Sequence, residues 1–208
     1  GYQKILKAFS EKEYDILIGT QMIVKGHDFP NVTLMGVLSA DLSLYASNYR
    51  AAERTYQLLV QAEGRSGRGN LPGEAVIQTY HPEHYSIQAA INQDYEEFYQ
   101  EEISYRRVMG YPPASNLLAV HGSCDREDTL KEAMDYIRRY LDRICDKDGF
   151  QIIGPAAENV SKINDMYRNV LYIRQESIEK LVAIREYLER YIEINKGFDP
   201  IYIQYDIN

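Results

Sequence analysis

The sequence has no tryptophan, only two cysteines in 208 residues, and no apolar run approaching the roughly 20 residues that cross a bilayer. Cys124 and Cys145 form no Cys-x-x-Cys pair and no disulfide framework, which excludes a disulfide-stapled secreted fold and argues against a structural zinc site. The start Gly1-Tyr-Gln-Lys4 carries neither the apolar stretch nor the cleavage site of a signal peptide. A soluble protein of the cytoplasm, with no membrane partner, is expected. Positive charge is also scarce. Residues 1–110 hold 10 basic and 14 acidic side chains and residues 111–208 hold 13 and 17, which together give the net charge of −8. Neither half is a basic module, so nucleic-acid contact has to come from a local arrangement of groups.

With 45% hydrophobic and 26% charged residues, the chain has a globular composition and the length of one large domain or two small ones. The strongest punctuation is Gly110-Tyr111-Pro112-Pro113, where two prolines remove two backbone donors and push the preceding residue into an extended conformation. A boundary there gives domains 1–110 and 111–208. In the first, a helix over about 1–10 precedes strands Asp15 to Gly19, Val32 to Ser39 and Glu74 to Tyr80. Helices over about 48–63 and 83–108 follow the last two strands. Short apolar runs alternating with helices predict an α/β domain with a covered parallel sheet.

The second domain reads strand (116–122), helix, short strands (151–153 and 160–163), strand (169–174), helix from Ser177 and strand (201–205). The first of these helices has Leu130, Ala133, Met134, Ile137, Leu141, Ile144 and Cys145 at helical spacing, with Asp125 as a candidate cap. The second puts Ile178, Leu181, Val182, Leu188 and Ile192 on one face. This β-α-β-β-α-β order predicts a small α+β ferredoxin-like two-layer domain. The 19 tyrosines are spread through the chain and read as amphipathic core-edge residues.

Two clusters carry chemistry. Gly19-Thr20-Gln21-Met22, followed by Lys25-Gly26-His27-Asp28-Phe29-Pro30, leaves the carboxyl end of a predicted strand, where ligands bind in open α/β sheets. A small hydroxyl and free backbone N–H groups there can hold a phosphate, and an Asp beyond a Gly turn can accept from a ribose hydroxyl. A strand-to-helix turn with no ligand is the alternative. In Gln61-Ala-Glu-Gly64-Arg65-Ser-Gly67-Arg68, two arginines three residues apart can both reach one phosphate group through fixed bidentate forks, and the glycines remove side chains that would hold a ligand off. His81 and His84 flank a proline turn and read as capping groups in preference to metal ligands. The pairs Arg106-Arg107 and Arg138-Arg139 read as salt-bridged, exposed helix faces.

The two clusters resemble motifs V and VI of superfamily-2 helicases, and more closely those of the PriA family of primosomal replication-restart helicases. Asp41, Arg50-Ala-Ala-Glu-Arg54, His81-Pro-Glu-His84, Tyr111-Pro-Pro113, Gly154-Pro155 and Tyr167-Arg168 are similar to that family too. The resemblance implies part of a RecA-like second helicase lobe followed by the family's C-terminal domain, in an ATP-dependent 3′-to-5′ DNA helicase that remodels stalled forks and starts primosome assembly. It implies Arg65, Arg68 and Gln61 as catalytic residues, with one arginine as the finger on the γ-phosphate. Gly26, Asp28, Gly64 and Gly67 would line the nucleotide, and Thr20 and Gln21 would meet the DNA backbone.

ATP and Mg²⁺ would also need a Walker A loop, and no Gly-x-x-x-x-Gly-Lys-Thr/Ser occurs here. The resemblance therefore implies that the first lobe completes the site, that the fragment alone is inactive, and that the family's zinc ligands lie outside it. By the same resemblance the C-terminal domain would bind single-stranded DNA, and Lys162, Tyr167, Arg168 and Arg174 read either as the DNA contacts or as ordinary solvated strand residues. Forked DNA, single-stranded DNA-binding protein and other primosome proteins would be partners. A non-catalytic module docking DNA or proteins is the alternative.

Overall fold

The computed structural model describes residues 1–23, 29–46, 48–64, 72–145 and 149–208, with the side chain of Met22 left aside. The chain divides into two compact units, Gly1–Glu102 and Ile103–Asn208.

In the first unit, α1 (Tyr2–Ser10) comes first, followed by β1 (Leu34–Val37), α2 (Asp41–Leu44), α3 (Ala51–Glu63), β2 (Glu74–Ile77) and α4 (Tyr85–Ile91). β1 and β2 pair in parallel, Leu34 opposite Glu74 through Val37 opposite Ile77, as an α/β crossover requires. α3 buries Ala51, Thr55, Tyr56, Leu59 and Ala62, spaced to fall on one helical stripe. That stripe meets Ile87, Ala89 and Ala90 of α4 in one core, where the Tyr56 and Phe98 rings stack at 4.4 Å.

Two expectations for this unit change. Asp15 to Gly19 is not a strand: no strand pairs with it among the described residues, and Ile16 and Ile18 stand 77% and 85% exposed. A strand is defined by its neighbour's hydrogen bonds, and apolar alternation alone does not supply one. The helix expected over 83–108 is two helices, α4 and α5 (Tyr95–Met109). Gln93 between them takes a left-handed φ of 53°, and the Asp94 carboxylate restarts the chain by accepting the Glu97 N–H at 2.9 Å.

α5 runs from the first unit into the second, which continues with β3 (Asn116–Cys124), α6 (Glu127–Ile144), β4 (Gln151–Ile163), β5 (Met166–Gln175), α7 (Ile178–Ile194) and β6 (Tyr202–Ile207). The strand order β4-β5-β3-β6, antiparallel throughout, is the ferredoxin-like arrangement. Leu118 pairs with Ile173 and Val120 with Leu171, so all four fall on one sheet face, completely buried with Leu130, Met134, Ile137 and Leu141 of α6 and Leu181 and Leu188 of α7. Each such side chain contributes about 1.5–3 kcal/mol by leaving water.

Here too the structure revises details. The two short strands expected near 151–153 and 160–163 are one strand, β4, interrupted by register shifts after Ile153 and Ala157. It turns into β5 through Asn164-Asp165, both at positive φ (50° and 63°), the two-residue type I′ hairpin whose twist matches that of the strands. Ile144, Ile178 and Val182 lie outside the core and Ile184 lies inside it. α6 starts at an uncapped Arg126, because the Asp125 carboxylate accepts from the Cys124 thiol instead. Arg106 is buried and donates to the Pro112 carbonyl at 2.9 Å, which removes it from any exposed face. No described helix is long and apolar enough to cross a membrane.

Candidate functional site

Gly19 and Thr20 form the described end of the first cluster, and the Ile23 N–H donates to the Thr20 carbonyl at 3.0 Å to close a 3₁₀ turn over Gln21–Ile23. A Cβ on Gly19 would lie 2.9 Å from Ile23 Cγ2, so any larger residue there has to displace the Ile23 side chain. Thr20 and Gln21 are both exposed. Lys25, Gly26, His27 and Asp28 lie outside the described residues.

The second cluster begins on α3. Arg54, Gln57 and Gln61 are exposed at helical spacing, on the side away from the stripe that packs against α4. Gly64 caps the helix, its N–H donating to the Val60 carbonyl at 3.1 Å. Gln61 is therefore the side chain presented to solvent in the last turn, immediately before the arginine motif. Arg65, Gly67 and Arg68 lie outside the described residues.

At the carboxyl ends of β1 and β2 the backbone is tightly held. The Asp41 carboxylate accepts the Tyr80 N–H at 3.3 and 3.2 Å and the Thr79 hydroxyl at 3.1 Å, while Thr79 Oγ1 accepts the His81 N–H at 3.0 Å. His84 caps α4, its Nδ1 accepting the Ser86 N–H at 3.2 Å. That acceptor role fixes the neutral ring's proton on Nε2, and burial lowers the His84 pKa, with His81 acting in the same direction and Glu102 and Glu83 opposing. Among the described residues no group of three or more His, Cys, Asp or Glu is placed to hold a metal ion.

The four residues assigned to single-stranded DNA in the second unit do not form one patch. Strand alternation puts Tyr167 on the helix-covered face, and Lys162, its partner in register, holds its ammonium 4.7 Å from the Tyr167 ring and 3.2 Å from Asp165. Arg168 and Arg174 fall on the opposite face. Arg168 meets Glu158 at 2.7 Å, and Arg174 donates to the Met109 carbonyl at 2.8 Å while lying 4.5 Å from the Tyr111 ring centroid. Glu158 also meets His121 Nδ1 at 2.8 Å. Nothing in Ala156-Ala-Glu158 marks that role, because Glu158 sits in the register-shifted part of β4 where strand pairing cannot be read from alternation.

Comparison with known proteins agrees with the two-unit layout. Residues 2–70 match the family described as helicase conserved C-terminal domain, and residues 107–208 match primosomal protein N C-terminal domain. The replication restart protein PriA of Bacillus subtilis is 46% identical over 193 residues, covering 91% of this chain and 24% of that protein. Its Synechocystis counterpart is 34% identical over 208 residues, covering 97% and 25%, and that of Rickettsia felis 35% over 205 residues, covering 99% and 31%. The chain thus spans about a quarter to a third of the length of these relatives. With a helicase C-terminal domain followed by the family's own C-terminal domain, the chain belongs to the PriA family of replication restart proteins.

Proposed function

We propose that the chain supplies the second motor lobe and the C-terminal domain of an ATP-dependent 3′-to-5′ DNA helicase that remodels stalled replication forks and starts primosome assembly in the cytoplasm. The observation that carries this reading is the order of the two matched families along one chain, 2–70 and then 107–208. The geometry supports it: α3 presents Gln61 to solvent and ends at Gly64, directly before Arg65 and Arg68.

In this reading ATP, with its Mg²⁺, is the substrate. Arg65 and Arg68 neutralise charge that develops on the transferring phosphoryl group, with Gln61 beside them and Gly26, Asp28, Gly64 and Gly67 along the nucleotide. The phosphate-cradling loop comes from elsewhere in the longer protein. Thr20 and Gln21, exposed beside the 3₁₀ turn that follows Gly19, contact the DNA backbone. In the second unit, Lys162 and Tyr167 beside the β4–β5 turn offer a cation and a ring to single-stranded DNA, and Arg168 and Arg174 serve mainly to hold the opposite face together. Single-stranded DNA-binding protein and other primosome proteins are the proposed partners.

Phosphoryl transfer depends on positioning and charge neutralisation, and a finger arginine is worth about 10³–10⁵ in rate. The test is DNA-stimulated ATP hydrolysis by the full-length protein. Arg68→Ala lowers kcat by about a thousandfold or more, with ATP affinity little changed. The 208-residue chain alone is expected to show no hydrolysis above background. Robust turnover by the chain alone overturns the two-lobe reading, and a loss confined to ATP affinity makes Arg68 a ground-state contact instead.

A further inference from the structure

The carboxyl ends of β1 and β2 carry aromatic side chains that the first unit's core does not use. Tyr80 follows β2 and is 86% exposed, and Tyr45 follows α2 and is 61% exposed. They are not on slack chain. Asp41 holds the Tyr80 N–H with both carboxylate oxygens and anchors Thr79, and Thr79 in turn fixes the His81 N–H. The His81 ring then meets the Tyr45 ring edge to face, centroids 5.4 Å apart at 73°. One clamp through Asp41 therefore sets the backbone that carries Tyr80 and the imidazole that positions Tyr45.

A rigid backbone below an almost fully exposed phenol ring is a poor arrangement for stability, because the ring buries little apolar surface. It is a good one for binding, because little conformational entropy remains to be lost. The place also suits a ligand: in α/β sheets ligands meet the carboxyl ends of parallel strands. Asp41 is engaged in the clamp, Glu83 lies 3.5 Å from His81 Nδ1, and Glu53 at the start of α3 accepts from Gln57 Nε2. Exposed Arg50 and Arg54, at the start of α3, supply positive charge on the chain that follows Tyr45.

We propose that Tyr80, with Tyr45 against the adjoining His81 ring, is a base-stacking platform for single-stranded DNA on the helicase lobe. The inference rests on the helicase reading and adds to it a stacking contact by residues that belong to neither helicase cluster. Stacking of this kind tolerates any sequence, since every base has a π-face, and that suits a translocating protein.

The absence of tryptophan makes the test direct, since Tyr80→Trp places a single indole at the site. The intact chain is titrated at low salt with fluorescein-labelled oligothymidylate for anisotropy, and in parallel with unlabelled oligonucleotide for indole emission excited where tyrosine does not absorb. The expected result is saturable indole quenching that follows the anisotropy curve. Tyr80→Ala is expected to weaken Kd by at least about fivefold and Tyr80→Phe to keep it near the parent value. Binding that leaves the indole unquenched and is indifferent to Tyr80→Ala overturns the platform and leaves those rings to a protein partner. Absence of any oligonucleotide binding by the chain overturns it as well. Neither result touches the helicase reading, which stands or falls on Arg68 and ATP hydrolysis.

Discussion

Arg168 and Glu158 meet at 2.7 Å on the sheet face opposite the two helices of the second unit, and the other carboxylate oxygen meets His121 at 2.8 Å. The Glu158 side chain is only 14% exposed, and these two contacts satisfy both of its carboxylate oxygens. Glu158→Gln is expected to lower the stability of the chain by about 1–3 kcal/mol, because Arg168 then lacks a counter-charge in a partly dry place. In a double-mutant cycle, Arg168→Ala costs less in the Glu158→Gln background than alone. Urea unfolding measures both. Arg168→Ala should also leave low-salt oligonucleotide affinity unchanged, and a clear loss of affinity would return Arg168 to the DNA surface.

The fate of that arginine shows what the sequence can and cannot disclose. Tyr167-Arg168 is visible as a pair, but neighbouring strand residues point to opposite faces, so adjacency in sequence is separation in space. The helices α6 and α7 were legible because their buried stripes repeat at helical spacing, and the ferredoxin-like order followed from them. Less of the first unit was legible. Ile16-Leu17-Ile18 has strand chemistry, yet a strand needs a neighbour, and the residues that would pair are not specified by its own pattern. The break at Gln93 escaped for the opposite reason: Glu96, Glu97 and Phe98 continue a helical composition across a turn made by one left-handed residue. For the candidate site, the motif residues were named from the sequence, whereas the Asp41 clamp beneath Tyr80 depends on hydrogen bonds across 39 positions that no local signal encodes.

Gly122 sits in β3 directly beneath α6. A Cβ there would lie 2.6 Å from Met134 Sδ and 3.0 Å from Leu130 Cδ1, both side chains being completely buried. Gly122→Ala therefore overpacks the core and is expected to cost about 1–3 kcal/mol. Combining it with Met134→Ala, which opens the space the methyl needs, should give less than the sum of the two single losses. The unfolding midpoint in urea checks both statements.

His84 offers a test of acid behaviour. Its Nδ1 caps α4 only as an acceptor, and burial holds its folded-state pKa below the ordinary 6.5. The unfolded chain thus takes up this proton more readily than the folded one as the pH falls. The stabilisation is present above pH 6.5 and is lost as the pH falls through the lowered folded-state value. His84→Asn keeps a capping acceptor without a titrating ring. The difference in thermal midpoint between parent and variant is expected to change across that window and to be flat above it. A parallel pH dependence in the two proteins would mean the cap survives protonation.

Tyr205 provides the alkaline counterpart. It lies on the helix-covered face of β6, opposite Val120, and packs against the second unit's core. Burial pushes its phenol up from 10.0 to about 12, Glu189 and Glu193 add to the rise, and Arg185 opposes it. The folded state therefore keeps the proton where the unfolded state releases it. This contribution is intact below pH 10 and drains away as the pH rises through the folded value near 12. Tyr205→Phe keeps the ring in the core and removes the titration, so it should unfold at a higher urea concentration relative to the parent at pH 11 than at pH 8, these pH values lying roughly either side of the unfolded phenol pKa. Spectrophotometric titration of phenolate absorbance supplies the second readout, since the variant should lack one high-pH phenol. Equal alkaline sensitivity in parent and variant would assign the loss to the other tyrosines, Tyr172 among them, whose pKa burial also raises.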